Sequence, residues 1–212
     1  MPKITEAKRE ERQRQILDAA LSCFSENGFH RTSMPDIVRQ SGLSHGAVYV
    51  YFKSKDDIIV ALAVDRHRQE AVLNSIVAES GDPLQSLIAL IRGYARSLAQ
   101  ASGDARRRVS INGWAEALSN DRVRSSVVEG IEAPIALVTA LVERAKREGR
   151  LSKEIEAETL GRAFVALFQG FTLQIAWGQA VEIETAVTVI ERMIFGLFDR
   201  RDSPVQRTPG AP

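Results

Sequence analysis

Apolar residues in this chain recur three and four positions apart rather than two, the spacing that lines side chains along one face of a helix. The pattern predicts an all-α protein of about nine helices. The first, from about Ala7 to Asn27, puts Ile16, Ala20, Leu21 and Phe24 on one face and stops at Gly28, with Phe29 folding back against it. Ser33 and Asp36 form a Ser-x-x-Asp capping box for a short second helix bearing Ile37 and Val38, and Gly42 tolerates the positive φ needed where that helix runs out. Leu43 plugs the corner, Ser44 caps a third helix running from His45 to near Phe52, and Ser54 with Asp57 repeats the capping box for a fourth. A turn of so few residues forces the second and third helices to cross steeply, the geometry in which the latter of the two enters a DNA major groove.

The fourth helix is expected to run from Lys55 to about Ser80, with Ile59, Leu62, Leu73 and Ile76 on a face broken by the polar run Asp65 to Glu70; that break reads as a joint between domains. Asp82 and Pro83 open a fifth helix whose buried face is Leu84, Leu87, Ile88, Ile91, Ala95 and Leu98. Gly103 ends the following connection, a sixth helix holds Val109, Trp114 and Leu118, and a seventh from about Asp121 holds Val127, Ile131, Ile135, Val138, Val142 and Ala145 with a kink expected at Pro134. After a stop at Gly149 come two strongly apolar helices, one presenting Leu160, Phe164, Phe168, Phe171 and Ile175, the other Ile183, Val187, Ile190, Ile194 and Leu197. The division predicted is residues 9–69 for DNA binding, with the helix-turn-helix at about 32–52, then 70–201 for the helical C-terminal domain, and a disordered tail at 202–212.

With 212 residues and 44% hydrophobic content the chain can bury a substantial core. No apolar run approaches the roughly 20 residues of a membrane span and the N-terminus is charged, so a cytoplasmic protein without membrane association is expected. The single cysteine, Cys23, excludes an intrachain disulfide framework. His30, His45 and His67 lack metal-ligand spacing, and no phosphate loop, nucleophile elbow or dinucleotide fingerprint is present, so neither an enzyme nor a cofactor is expected. The net charge is only +1, but residues 1–55 hold nine Lys and Arg against six Asp and Glu, a balance of +3 that leaves −2 for the remainder. So small a basic footprint suits binding by geometry and by two copies more than by a large charged surface.

These residues resemble the TetR family of bacterial transcriptional regulators. The likeness is carried by Ile16, Ala19, Ala20, Phe24, Gly28-Phe29, Thr32-Ser33, Asp36-Ile37, Gly42-Leu43-Ser44, Gly46, Tyr49, Tyr51-Phe52 and Ser54-Lys55, within roughly the first 65 residues. Looser matches, Trp114-Ala115-Glu116-Ala117 and the turn Glu148-Gly149-Arg150-Leu151, resemble one common subtype of that family's C-terminal domain. The resemblance implies a homodimer that binds a double-stranded DNA operator of two-fold symmetry and is released by a small-molecule effector. Two departures fall in the recognition helix. Position 45, often Lys in the family, is His, and position 50, commonly polar, is Val, which either touches a thymine methyl or packs inward.

The residues expected at DNA are Thr32, Ser33, Ser44, His45, Gly46, Tyr49, Val50, Tyr51, Lys53 and Lys55, with phosphate contacts from helix starts and flanks positioning the domain. Arg39 has two equal readings, an ion-pair partner or a phosphate contact, and the basic arm from Lys3 to Arg14 reads as a solvated tail, with minor-groove contact as the lesser reading. Tyr94, Asn112, Trp114, Phe168, Phe171 and Trp177 are candidates to line a pocket for a largely apolar ligand, against the plain alternative that they are core. The triple Arg106-Arg107-Arg108 reads as a solvated helix end, with an anionic effector as the other reading. Leu160, Phe164, Leu167, Phe171, Val187, Ile190, Ile194 and Leu197 are candidates for a four-helix dimer interface, because both helices carry second apolar rows (Ala163, Leu167; Ala186, Val189, Met193) that a monomer would expose. The alternative function is a helical interaction protein of the same fold that has lost DNA binding.

Overall fold

A computed structural model describes residues 6–64, 81–99 and 103–199. Among the described residues there are nine helices and no strand. They are α1 (Glu6–Arg31), α2 (Met34–Ser41), α3 (His45–Tyr51), α4 (helical at 55–64), α5 (Pro83–Ala99), α6 (Gly103–Glu116), α7 (Asp121–Arg147), α8 (Ala157–Ala176) and α9 (Ile183–Asp199). The expected continuation of the fourth helix to Ser80, its interdomain joint at Asp65 to Glu70 and the tail at 202–212 lie outside the described residues.

Short-range chemistry sets the element boundaries. α1 breaks at Gly28 (φ 75°, ψ 171°) and resumes for one turn, which turns Phe29 inward, 4% exposed, edge-on to Phe24 at 4.8 Å. Gly42 ends α2 at φ 67°, its N–H returned to the Arg39 carbonyl, and Ser44 accepts the Ala47 N–H to start α3. Pro83 is the first residue of α5, and the Asp82 carboxylate accepts the Leu84 N–H. Asn120 caps α7 by accepting from the backbone of Arg122 and Val123, and Gly149 (φ 68°) follows its end.

Two apolar clusters hold the helices. The N-terminal cluster joins Ile16, Ala20, Phe24, Ile37, Val48, Phe52 and Ile58 to Val109, Ala117 and Val123, so α6 and the first turn of α7 complete the core of the first three helices. The C-terminal cluster joins one face each of α5, α7, α8 and α9. α7 runs through Pro134 as one helix, with the proline buried. Contrary to expectation, α7 is long and apolar enough to cross a membrane by composition. Its Val138, Leu141, Val142 and Ala145 are nonetheless spent on the core, and Glu129 and Glu132 lie near its middle, which makes it a core helix. Leu118, expected on the sixth helix, lies past its end and is 82% exposed.

The turn at Gly42 has no neighbouring atom within 4 Å of an added Cβ. Gly42→Ala therefore costs only backbone conformation, and about 1 to 2 kcal/mol of stability should be lost. The check is a lower urea midpoint at unchanged slope; an unchanged midpoint would mean that the turn is not left-handed in solution.

Candidate nucleic-acid interface and adjoining cavity

The helix-turn-helix is fixed by two polar brackets. In α2 the capping box closes on itself: the Ser33 N–H and hydroxyl both donate to Asp36 Oδ2, at 2.9 and 2.6 Å, and the Asp36 N–H donates to Ser33 Oγ. Arg39 donates to Asp36 Oδ1 at 2.7 Å, which makes it an ion-pair partner. The Ser33 bonds first, then Arg39, hold the Asp36 carboxyl down at about 2. In α3, Val48 and the following Phe52 turn into the core while His45, Gly46 and Val50 stay exposed and Tyr49 half-exposed. Val50 is 72% exposed, which decides against the inward-packing reading. His45 stacks on Tyr49 with ring centroids 4.2 Å apart, and Lys53 Nζ donates to the Tyr49 carbonyl at 2.6 Å. His45, Gly46, Tyr49, Val50 and Lys53 thus share the outer edge of one short helix, with Ser44 and Ser33 exposed at the two helix starts. Tyr51 packs half-buried against the N-terminal core.

Two expected DNA contacts are corrected. Thr32 is 2% exposed, and its hydroxyl donates to the Gly28 and Cys23 carbonyls. Lys55 Nζ donates to the carbonyls of Phe29 and Thr32, at 2.5 and 3.1 Å. Both side chains donate to backbone carbonyls around the C-terminal end of α1. Their donors are engaged inside the domain.

Behind this domain lies a cavity of about 660 Å³. Of the six expected pocket residues, Tyr94, Trp114 and Phe168 line it. Asn112 does not, Phe171 packs into the C-terminal core instead, and Trp177 follows the last residue of α8 and is 70% exposed. Phe164, expected at a dimer interface, lines the cavity and forms an aromatic trio with Tyr94 and Phe168, at centroid distances of 4.9 to 5.7 Å. Leu21 and Phe29 of α1 and Ile59 and Leu62 of α4 line it as well. The six expected pocket residues all lie in or after α5; the apolar inner edge of the fourth helix is the sequence signal that the cavity extends further.

Known proteins match both halves. Residues 16–62 fit the model for bacterial regulatory proteins of the tetR family, and residues 85–199 fit that for the C-terminal domain of BetI-type transcriptional repressors. The chain belongs to the TetR family. It is therefore a DNA-binding transcriptional regulator. It is similar to the repressor BepR of Brucella suis, 26% identical over 79% of this chain and 81% of that protein. It also matches the fatty acid metabolism regulator protein of Bacillus subtilis, 40% identical over 55 residues; that match covers 26% of this chain and only 28% of the relative's length. A structure of SmeT in complex with triclosan superposes at a TM-score of 0.74, with 18% identity, over 95% of this chain and 99% of that one.

In this TetR-family chain the regulator's two parts touch at two helix starts. Asp57 accepts the Ser54 and Lys53 N–H groups on Oδ2 and the Arg122 guanidinium on Oδ1 at 2.6 Å. Beside it, Asn120 donates to Asp56 at 3.0 Å. Arg122 is the first cause holding the Asp57 carboxyl below the usual carboxylate range, with the Ser54 bonds adding to it.

The expected dimer residues divide. Phe164, Val187, Ile190 and Ile194 are buried in the chain's own core, so they are not free to face another chain. Leu160, Phe171 and Leu197 pack half-buried against that core, whereas Leu167 is 40% exposed. Also open are Val189, Met193 and Phe195 of α9. Helical spacing identifies two apolar rows but not which one the fold consumes.

Two measurements check these roles. Lys55→Ala should cost about 1.5 to 3 kcal/mol in urea unfolding, the usual range for hydrogen bonds to a charged group; unchanged stability would return Lys55 to the DNA surface. Asp57's depressed pKa gives a contribution present above the unfolded carboxylate pKa and lost as pH falls through the folded one. The stability difference between the wild type and Arg122→Gln should therefore exist at neutral pH and vanish in acid. A difference independent of pH would disprove the pairing.

Proposed function

We propose that the protein is a cytoplasmic homodimeric repressor that binds a palindromic operator and is released when a small ligand fills the cavity. On this reading residues 9–69 form the DNA-binding unit and 70–201 the ligand-binding and dimerisation unit. One observation carries it: the cavity wall is shared between α5 to α8 and the helices that hold the recognition helix, through Leu21, Phe29, Ile59 and Leu62. A ligand in that space touches both parts, so it binds unequally to arrangements that differ in how they meet, which is the requirement for a switch. The SmeT complex supports a small-molecule ligand for this fold.

Dimerisation is supported by the exposed Leu167, Val189, Met193 and Phe195 on α8 and α9, large apolar side chains left uncovered by the protomer's own packing. A two-fold pairing would present two α3 edges about 34 Å apart, one turn of DNA. His45, Tyr49 and Val50 would read bases, with Gly46 allowing close approach and Ser33, Ser44 and Lys53 positioned for phosphates.

Selection of bound fragments from the source genome supplies the operator. Tyr49→Ala should weaken binding to the selected fragments by at least about 1 kcal/mol with an unchanged thermal midpoint. If no fragment is enriched, or if Tyr49→Ala binds like the wild type, the operator reading fails. Separately, Leu167→Glu combined with Met193→Glu should sediment as a folded monomer at micromolar concentration. A wild-type protein that is already monomeric there, or a double variant that remains dimeric, contradicts the interface.

A further inference from the structure

We infer that the cavity takes an amphipathic anion, with an apolar body against Phe164 and Phe168 and a carboxylate or phosphate oxygen received by Arg107. This deepens the ligand-gated reading and rests on it for its regulatory meaning; the ligand's chemistry follows from the wall alone. Among the described residues, the charged ones lining the cavity are Arg96, Arg106 and Arg107, with no Asp or Glu. On an open surface three arginines would decide little. Beside Ile131, Pro134 and the aromatic trio, charge is screened less than in bulk water, so the sign of the wall selects the sign of the ligand.

Arg107 is the group built for contact. Its side chain is only 12% exposed, unusual for arginine. Nη1 donates to the Leu98 carbonyl at 2.7 Å, while Nη2 stands 3.7 Å from Asp104 Oδ1, beyond hydrogen-bond length. Nε is buried and has no hydrogen-bond partner among the described residues. A buried N–H without an acceptor is a standing cost, and an oxyanion is the acceptor a guanidinium fits best. The local sequence also makes room for this placement. Residue 103 is glycine, and a Cβ there would fall 2.7 Å from Arg107 Nη1 and 3.3 Å from the Ser97 carbonyl oxygen. One turn before Arg107, Gly103 thus leaves open the slot in which the guanidinium rests against α5.

Trp114 lines the cavity and reports binding by its fluorescence. The full-length protein is titrated below micelle formation with decanoate, decyl phosphate, decanol and decyltrimethylammonium, which share a tail and differ in head. At least one of the two anions should bind about tenfold or more tightly than decanol, and the cation more weakly than decanol; which anion binds tighter separates carboxylate from phosphate as the natural head. Arg107→Gln should bring the anions down to the affinity of decanol. Gly103→Ala should weaken anion binding by displacing the guanidinium without removing its charge. If Arg107→Gln fails to fold, discrimination by the wild type still decides. Equal affinity for anion and decanol, preference for the cation, or no anion binding overturns the inference. The gating reading fails differently: Arg107-dependent anion binding that leaves operator affinity unchanged refutes gating and keeps the site, whereas equal release by decanol and decanoate keeps gating and refutes the anionic head.

Discussion

The contact between the start of α4 and the start of α7 is the constraint on which the rest of the molecule depends. Two acidic residues, Asp56 and Asp57, face Asn120 and Arg122. One residue of each pair also caps its own helix: Asp57 accepts the Lys53 and Ser54 N–H groups just before α4, and Asn120 accepts the Arg122 and Val123 N–H groups in the first turn of α7. Neither helix start can move without giving up either its cap or its partner. An exposed ion pair of this kind adds little net stability, so its value lies in position. α3 passes directly into α4 through residues 52–54, and α7 goes on to line the cavity with Val127, Gly130, Ile131 and Pro134. One short polar contact therefore relates the recognition helix to the cavity wall.

Packing restricts how that relation changes. The core behind α1 to α3 takes in Val109 and Ala117 from the α6 segment and Val123 from α7, so the DNA-binding helices are seated on the C-terminal helices. Close-packed interfaces of this kind shift between discrete arrangements and do not deform continuously. The space left between the seat and the helices of the second core is the cavity. Occupation of a space bounded by both bodies favours whichever arrangement fits the ligand better, by no more than the difference in affinity between the two.

What was legible in the sequence follows the range of the interactions. Ser33 with Asp36, Ser44 with Ala47 and Ser54 with Asp57 act over three residues, and the resulting helix starts can be read from spacing alone. Lys55 reaches the Phe29 and Thr32 carbonyls across 26 and 23 residues, and no local pattern announces that, so a lysine beside a recognition helix reads as a phosphate contact. Periodicity likewise shows that α8 and α9 are apolar on two rows but is silent on which row the chain itself buries. That choice needs the position of α5, against which Val187, Ile190 and Ile194 pack. Trp177 and Leu118 were misread for a simpler reason: each lies just past a helix end, where the chain leaves the periodic face.

The internal engagement of Arg39 and Lys55 sharpens the electrostatic picture of DNA binding. Both were counted in the +3 balance of the first 55 residues, yet Arg39 is held by Asp36 and Lys55 by backbone carbonyls. The outer edge of α3 offers His45, Tyr49, Val50 and one lysine, Lys53, whose ammonium already donates to a carbonyl. Few phosphates can then be neutralised per chain, and binding strength that comes from counterion release scales with that number. What replaces charge is fit. The His45–Tyr49 stack fixes the Tyr49 ring before DNA arrives, and exposed Gly46 places no side chain between helix and groove. Fit of this kind depends on both α3 edges meeting the groove at the right spacing, so in the proposed dimer a small change in separation forfeits much of the affinity. A charge-poor recognition helix is thereby well suited to control by a cavity walled in part by α1 and α4, the helices that hold it.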